Sequence, residues 1–224
     1  MDTVEYAPGR LVDLFGDVGQ RTVLMWHGQQ VDARAAMREL ANLVAAHGLR
    51  VIVPDWNSRA GDSGRGDLLA SVRFTQQQIQ PADDFVLVGW SMGGLAAAGL
   101  TLRAADAGVR LVHTVCLAGA FMVPDPISGD ELDKALNGAA HRSPFTLLHG
   151  RADDVVPSAA SRTFAAALRE TDWPVEVVEL AADHGSIAGA TYDLAADRYV
   201  AGHDDETLAV AAQVAQRIAG SAQS

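Results

Sequence analysis

Phe85-Val86-Leu87-Val88-Gly89-Trp90-Ser91-Met92-Gly93-Gly94 decides how the rest of the chain is read. Its first half is apolar throughout, with β-branched and aromatic side chains, as in a strand covered on both faces. Its second half opens a run from Ser91 to Ala107 that reads as a helix, closed by Gly108. At the joint stands G-x-S-x-G. Alone the pattern is common; a strand before it and a helix after it give it meaning. The chain must reverse sharply there, and a side chain at position 89 or 93 would collide with the neighbouring strand and helix. The result is a hydroxyl, that of Ser91, held above a sheet at the positive end of a helix.

Working outward, the same alternation recurs. Thr22 to Trp26 is a short apolar strand ending in His27-Gly28. A helix follows, with Asp32 as its expected N-cap, Met37, Leu40 and Val44 on one stripe, and Gly48 as its stop. Val51 to Pro54 reads as a buried strand, Asn57 to Asp67 as a glycine-rich loop, and Leu68 to Ile79 as a helix. Beyond the central motif come strands at His113–Leu117, Phe145–His149 and Val175–Leu180. Helices follow at Ser158–Thr171, capped by Ser158, and at Thr207–Ala219. Strands apolar on both faces, alternating with amphipathic helices, predict an α/β fold: a mostly parallel central sheet with helices on both faces. Residues 1–224 are expected to form one such domain. In sheets of this kind ligands bind beyond the carboxyl ends of the strands.

Composition narrows the function. The chain has 224 residues and a formal net charge of −11, with one lysine, Lys134, so a nucleic-acid partner is not expected. One cysteine, Cys116, excludes an internal disulfide framework and a thiolate zinc site, and reads as a small buried hydrophobe. No phosphate-cradling glycine loop and no metal-ligand spacing is present, so no cofactor and no metal are expected. No apolar run approaches the roughly 20 residues needed to span a bilayer. Met1-Asp2-Thr3-Val4-Glu5 carries no basic region followed by an apolar run, so no signal peptide is expected. The expectation is a soluble cytoplasmic protein, monomer or homodimer, with no membrane partner.

A serine hydroxyl is a weak nucleophile near neutral pH and needs a base, which in turn needs an orienting acid. Asp153 is the acid candidate, in His149-Gly150-Arg151-Ala152-Asp153-Asp154-Val155-Val156-Pro157, directly after an apolar strand. His184, in Ala182-Asp183-His184-Gly185, follows the last strand and is the base candidate. His203 competes from farther downstream. His149 reads as a structural hydrogen-bonder, His47 as a helix-end cation, and His113 and His141 as residues of a strand and a connection. Acyl transfer places negative charge on one oxygen, so two backbone N–H groups must converge there. Met92 and Gln29 are the candidate donors, from the turn after Ser91 and the loop after Trp26.

Together, His27-Gly28, Gly89-Trp90-Ser91-Met92-Gly93-Gly94, His149-Gly150-x-x-Asp153-x-x-Val156-Pro157 and His184-Gly185 resemble the α/β-hydrolase superfamily. The resemblance is to its small carboxylesterase, dienelactone-hydrolase-like and acyl-thioesterase members. It implies the α/β-hydrolase fold, with Ser91 as nucleophile, Asp153 as acid and His184 as base. It also implies a serine hydrolase that cleaves a small ester or thioester through an acyl-enzyme. Two departures stand out. Dienelactone hydrolases proper carry a cysteine where this chain has serine, and Gln29-Gln30 stands where many esterases have a glycine-rich loop.

The gap from Ala118 to Ser143 leaves room for a helix and short loops but hardly for a cap, so a minimal cap or none is expected. Trp90, Phe121 and Met122, with Trp56, are candidate lining residues of a small acyl pocket; core packing is the competing reading for each. Ser186 to His203 is long for a connection, either a flap carrying Tyr192 and Tyr199 or a surface excursion. Gly61-Asp62-Ser63-Gly64 resembles a trypsin-like nucleophile segment but lies in a polar loop of an α/β chain, and reads as a flexible turn. Two other functions fit the same scaffold: a small-ligand binding or signalling protein that does not hydrolyse, and an acyltransferase or perhydrolase using the same three side chains.

Overall fold

The structure is a computed structural model that describes residues 1–80, 83–137 and 142–223. Its centre is an eight-stranded sheet. In chain order the strands are β1 (Asp2–Ala7), β2 (Arg10–Phe15), β3 (Thr22–Trp26), β4 (Arg50–Pro54), β5 (Phe85–Trp90), β6 (Leu111–Leu117), β7 (Phe145–Gly150) and β8 (Val175–Leu180). In space they run β1-β2-β4-β3-β5-β6-β7-β8. From β4 to β8 every pairing is parallel, while β1 pairs with β2, and β2 with β4, antiparallel.

The strand composition explains the layering. Successive side chains of a strand point to opposite faces, and here both faces are covered. Val23 and Met25 of β3 pack with Val86 and Val88 of β5 on one side. There helices α1 (Arg38–Ala46) and α5 (Asp205–Ser221) bury Leu40, Val44, Val210, Val214 and Ile218. Leu24, Trp26 and Leu87 face the other side, against Leu68 and Val72 of α2 (Arg65–Gln78) and Ala96, Ala97 and Leu100 of α3 (Met92–Leu102). Farther along that face Phe164 and Leu168 of α4 (Ala159–Glu170) close over Cys116 and Leu147. Cys116 is buried there as a free thiol. Each side chain of this size buried in full contributes about 1.5–3 kcal/mol.

Several local expectations are corrected. Asp32 does not cap the first helix. It has φ 50° and its carboxylate takes the Arg10 guanidinium, while Asp55 reaches in to accept the Arg34 N–H at 3.0 Å. The segment then begins with a 3-10 turn, Arg34–Met37, ahead of α1. Ser158 sits at the N-cap of α4 without capping it, because its hydroxyl accepts instead from Arg162. The final helix starts at Asp205, not Thr207, because the Asp204 side chain accepts the Thr207 N–H at 2.8 Å. α3 ends at Leu102, where bonds tighten to three-residue spacing (Arg103 N to Leu100 O), and Gly108, at φ 63°, closes the remaining turns.

The β1–β2 hairpin at the sheet edge has no counterpart in the sequence reading. Pro8-Gly9 makes its turn, with Gly9 at φ 71°. Between β6 and β7 the described residues hold only turns and a 3-10 helix, Leu132–Ala135; His141 lies outside them. Ser186 to His203 forms a 3-10 turn and a two-stranded hairpin, β9 (Ala190–Asp193) with β10 (Arg198–Ala201). Ser63 and Gly64 lie in a left-handed turn leading into α2. Among the described residues no helix is long and apolar enough to cross a membrane, and no group of three or more His, Cys, Asp or Glu could hold a metal ion.

Candidate active site

The turn between β5 and α3 is as tight as its glycines suggest. Ser91 has φ 55° and ψ −118°, a conformation rare for a side-chain-bearing residue, and its carbonyl accepts from Leu95 N–H and Ala120 N–H. A Cβ on Gly89 would stand 2.1 Å from Gly93 O, and one on Gly93 would stand 2.4 Å from His27 O and 2.6 Å from Trp26 O. Both positions therefore exclude every other residue unless backbone moves. The same packing presses the loop after β3 onto the turn, since a Cβ on Gly28 would lie 3.3 Å from Ser91 Cβ.

His27 anchors that loop. It is fully buried and stacked on Trp56, and its Nε2 accepts the N–H groups of Ala33 and Trp56. Its Nδ1 therefore carries the proton and donates to Gly28 O at 2.8 Å. Burial holds the ring neutral, with its pKa pushed down to about 3. Gln30 N–H donates to Gly28 O at 2.7 Å, closing a turn around Gln29. Gln29 is exposed and Met92 is the first residue of α3, so neither amide is used up by the helix or sheet ladders.

Asp153 and His184 meet. The His184 Nδ1 lies 2.8 Å from Asp153 Oδ2, and the side chains are 4 % and 0 % exposed. Oδ1 of the same carboxylate accepts the N–H groups of Val155 and Val156, and His149 Nε2 lies 3.3 Å from Oδ2. Burial works against ionisation here. The hydrogen bonds from His149, His184 and Val156 overcome it and hold the carboxyl well below its usual range. An ionised Asp153 only accepts, so His184 Nδ1 carries the proton and Nε2 keeps its lone pair. His149 is a strut, bonded to Ser161 Oγ and Val156 O. His203 stands apart, exposed, nearest Glu39.

His184 rides on a small device of its own. Asp183 Oδ1 accepts the N–H groups of Gly185 and Ser186, and Ser186 Oγ accepts the Asp183 N–H. The Asp183-x-x-Ser186 pattern is a visible capping signal that the sequence reading passed over. Trp90, one residue before Ser91, donates from Nε1 to His184 O at 2.8 Å, and its ring lies 5.5 Å from the imidazole. Ser91 and His184 are thus tied through Trp90. Among the described residues the Ser91 hydroxyl makes no hydrogen bond to the imidazole. Such bonds commonly tighten only around bound substrate.

The aromatic candidates divide. Trp90 is 1 % exposed and Trp56 is fully buried, with its Nε1 on His27 O, so both belong to the core beneath the site rather than to its wall. Phe121 and Met122 line a cavity of about 330 Å³ with Leu132, Leu136 and Phe164. A second cavity of about 740 Å³ touches His184 and is walled by Asp154, Asp183, Tyr192 and Tyr199. Tyr199 lies between ring neighbours: its centroid is 5.8 Å from His184, 5.0 Å from Trp90 and 5.0 Å from Tyr192. Burial first, then Asp154, Asp153 and Asp183, push its phenol up to about 12, so it stays protonated. The sequence singled out Tyr199 only as a passenger of a possible flap, and Gln30 only as a loop residue.

Solved structures share the architecture. Esterase 2 of Thermogutta terrifontis with butyrate bound superposes with a TM-score of 0.69 at 16 % identity, over 96 % of this chain and 92 % of that one. A thioesterase domain from the curacin biosynthetic pathway gives 0.66 at 15 %, over 97 % and 98 %. Esterase B from Lactobacillus Rhamnosis (HN001) gives 0.69 at 14 %, over 95 % and 81 %. At these identities the likeness is one of fold. No curated protein matches the sequence. The sequence of residues 23–223, from β3 through α5, does match the alpha/beta hydrolase family, and the chain belongs to that family.

Proposed function

We propose that this hydrolase cleaves carboxylic esters or thioesters of small molecules through an acyl-enzyme on Ser91, with the whole chain acting as one catalytic domain. One observation carries the reading: a buried Asp153 carboxyl bonded to His184, whose backbone is tied through Trp90 to a serine held in a left-handed turn. His184 Nε2 takes the hydroxyl proton as Ser91 Oγ attacks the carbonyl carbon. The N–H groups of Met92 and Gln29 hold the oxyanion. His184 returns the proton to the departing alcohol or thiol, then takes one from the water that attacks the acyl carbon, and hands it to Ser91 Oγ as the acid departs.

The neighbours fit this chemistry. Esterase 2 of Thermogutta terrifontis carries butyrate or propionate in two of its structures and is phosphorylated by paraoxon in another. Short acyl groups are accordingly the first substrates to try, with Phe121 and Met122 on the acyl side. The test is labelling by a fluorophosphonate probe alongside turnover of p-nitrophenyl esters of increasing chain length. Wild-type protein is expected to label and to turn over the short esters, and Ser91→Ala to do neither while still folded. Undiminished labelling of Ser91→Ala overturns the assignment. Background turnover with tight binding of an uncleaved ligand favours the binding-protein alternative.

A further inference from the structure

One side chain fastens the β9–β10 hairpin to the loop after β3. The Gln30 amide lies along the backbone of Tyr199: Oε1 accepts the Tyr199 N–H at 2.6 Å, and Nε2 donates to the Tyr199 carbonyl at 3.3 Å. An amide paired both ways with one residue's backbone acts as a strand partner does, fixing position and direction together. The backbone N–H of the same Gln30 closes the turn around Gln29. Arg198 adds a contact from its guanidinium to Asp32 O at 3.4 Å.

The other side of Tyr199 faces the base. Its ring abuts the imidazole of His184, and a Cβ on Gly185 would stand 3.0 Å from Tyr199 Cε1, so the ring also covers the backbone that carries His184. An imidazole bonded at one nitrogen can still pivot about that bond. Here Trp90 and Tyr199 both lie against the ring and limit the pivot. Gln30 thus touches the oxyanion turn through its backbone and the stop on His184 through its side chain.

The geometry points to Gln30 and Tyr199 as positioning residues that hold the oxyanion turn and the His184 ring in one fixed relation. This rests on the reading of Ser91 as nucleophile. Loss of the Gln30 amide frees the hairpin, and both halves of the machinery relax together.

The test compares wild type with Gln30→Ala, Gln30→Glu and Tyr199→Phe. Turnover of p-nitrophenyl acetate is counted per site titrated with fluorophosphonate, and amide hydrogen exchange is followed over residues 28–31 and 190–201. Gln30→Ala is expected to lower kcat by about 10- to 100-fold, the scale of a small misplacement of reacting groups. Its KM stays within about threefold, and exchange quickens in both segments. Gln30→Glu, which keeps the acceptor for Tyr199 N–H, regains part of the rate, and Tyr199→Phe, which keeps the ring, retains it. A Gln30→Ala kcat within about twofold of wild type per titrated site overturns the proposal. So does a lower kcat with unchanged exchange. If Ser91→Ala still labels, the serine reading falls by itself, and exchange alone then judges the latch: quickening in both segments supports it and no change overturns it.

Discussion

Asp153 shows how much one side chain can be made to do. Its two oxygens take three hydrogen bonds, two from backbone and one from His184, with His149 Nε2 a further 3.3 Å neighbour, in a place closed to water. Asp153→Asn is nearly isosteric, yet the substitution is severe for a geometric reason. The amide oxygen must stay on the Val155 and Val156 N–H groups, so the NH₂ faces His184 Nδ1 as a donor. That forces the ring proton onto Nε2, where the lone pair is needed. We expect kcat for p-nitrophenyl acetate to fall by roughly 10³–10⁴-fold, the usual scale for such a tautomer error. A loss under tenfold, about 1.4 kcal/mol, removes Asp153 from the reaction. At this scale the sequence was informative where a side chain carries the chemistry and silent elsewhere. Chain order singled out Asp153 and His184, and they meet. Gln29 and Met92 could only be guessed, because a backbone N–H leaves no trace in residue type. For Trp90 and Trp56 the sequence left lining and core packing both open, because residue type does not say on which side of a motif a large ring lies; both are buried.

Between elements the decisive contact is β3 against the β5–α3 turn. Gly93→Ala places a methyl group against the carbonyls of Trp26 and His27, and β3 must yield. The expected cost is about 1–3 kcal/mol of stability, with loss of ester turnover and of probe labelling. Denaturant midpoints and labelling check it together, and a variant that melts and labels like wild type contradicts the packing described here. The parallel strands were readable as elements because their apolar runs have no other use in a chain of this composition. The β1–β2 and β9–β10 hairpins were not. β1, β9 and β10 are largely exposed, so their hydrophobic pattern is diluted, and the buried part of β2 is interrupted by Asp13. The start of α5 was hidden in the same way, since Asp204-Asp205-Glu206 reads as a loop until its cap is seen.

For the molecule as a whole, acid is the predicted weakness. His27 and His113 stay neutral inside the fold, with burial pushing their pKa values down to about 3 and about 4 from 6.5. In the unfolded chain both rings bind a proton as pH falls through 6.5, so unfolding takes up protons and stability declines from there downward. One pKa unit is about 1.4 kcal/mol, so His27 alone is worth several such steps by the acid end of its range. Asp153 works in the same direction at lower pH: its carboxyl is held below its ordinary 3.8, and the stability it lends is lost as acid protonates it. The Tm is expected to fall steadily between pH 7 and pH 4, and a Tm unchanged across that span contradicts the buried neutral state of His27.

The order β4-β3-β5 has a further consequence. The chain leaves β3 for α1 on one face of the sheet and leaves β5 for α3 on the other. Between those two exits the covering layers part, and in sheets of this kind that is where ligands bind, without need of an inserted domain. Grafting extra residues around Met122 or at the Leu194 hairpin tip is expected to reshape which substrates fit, while every strand keeps its partner.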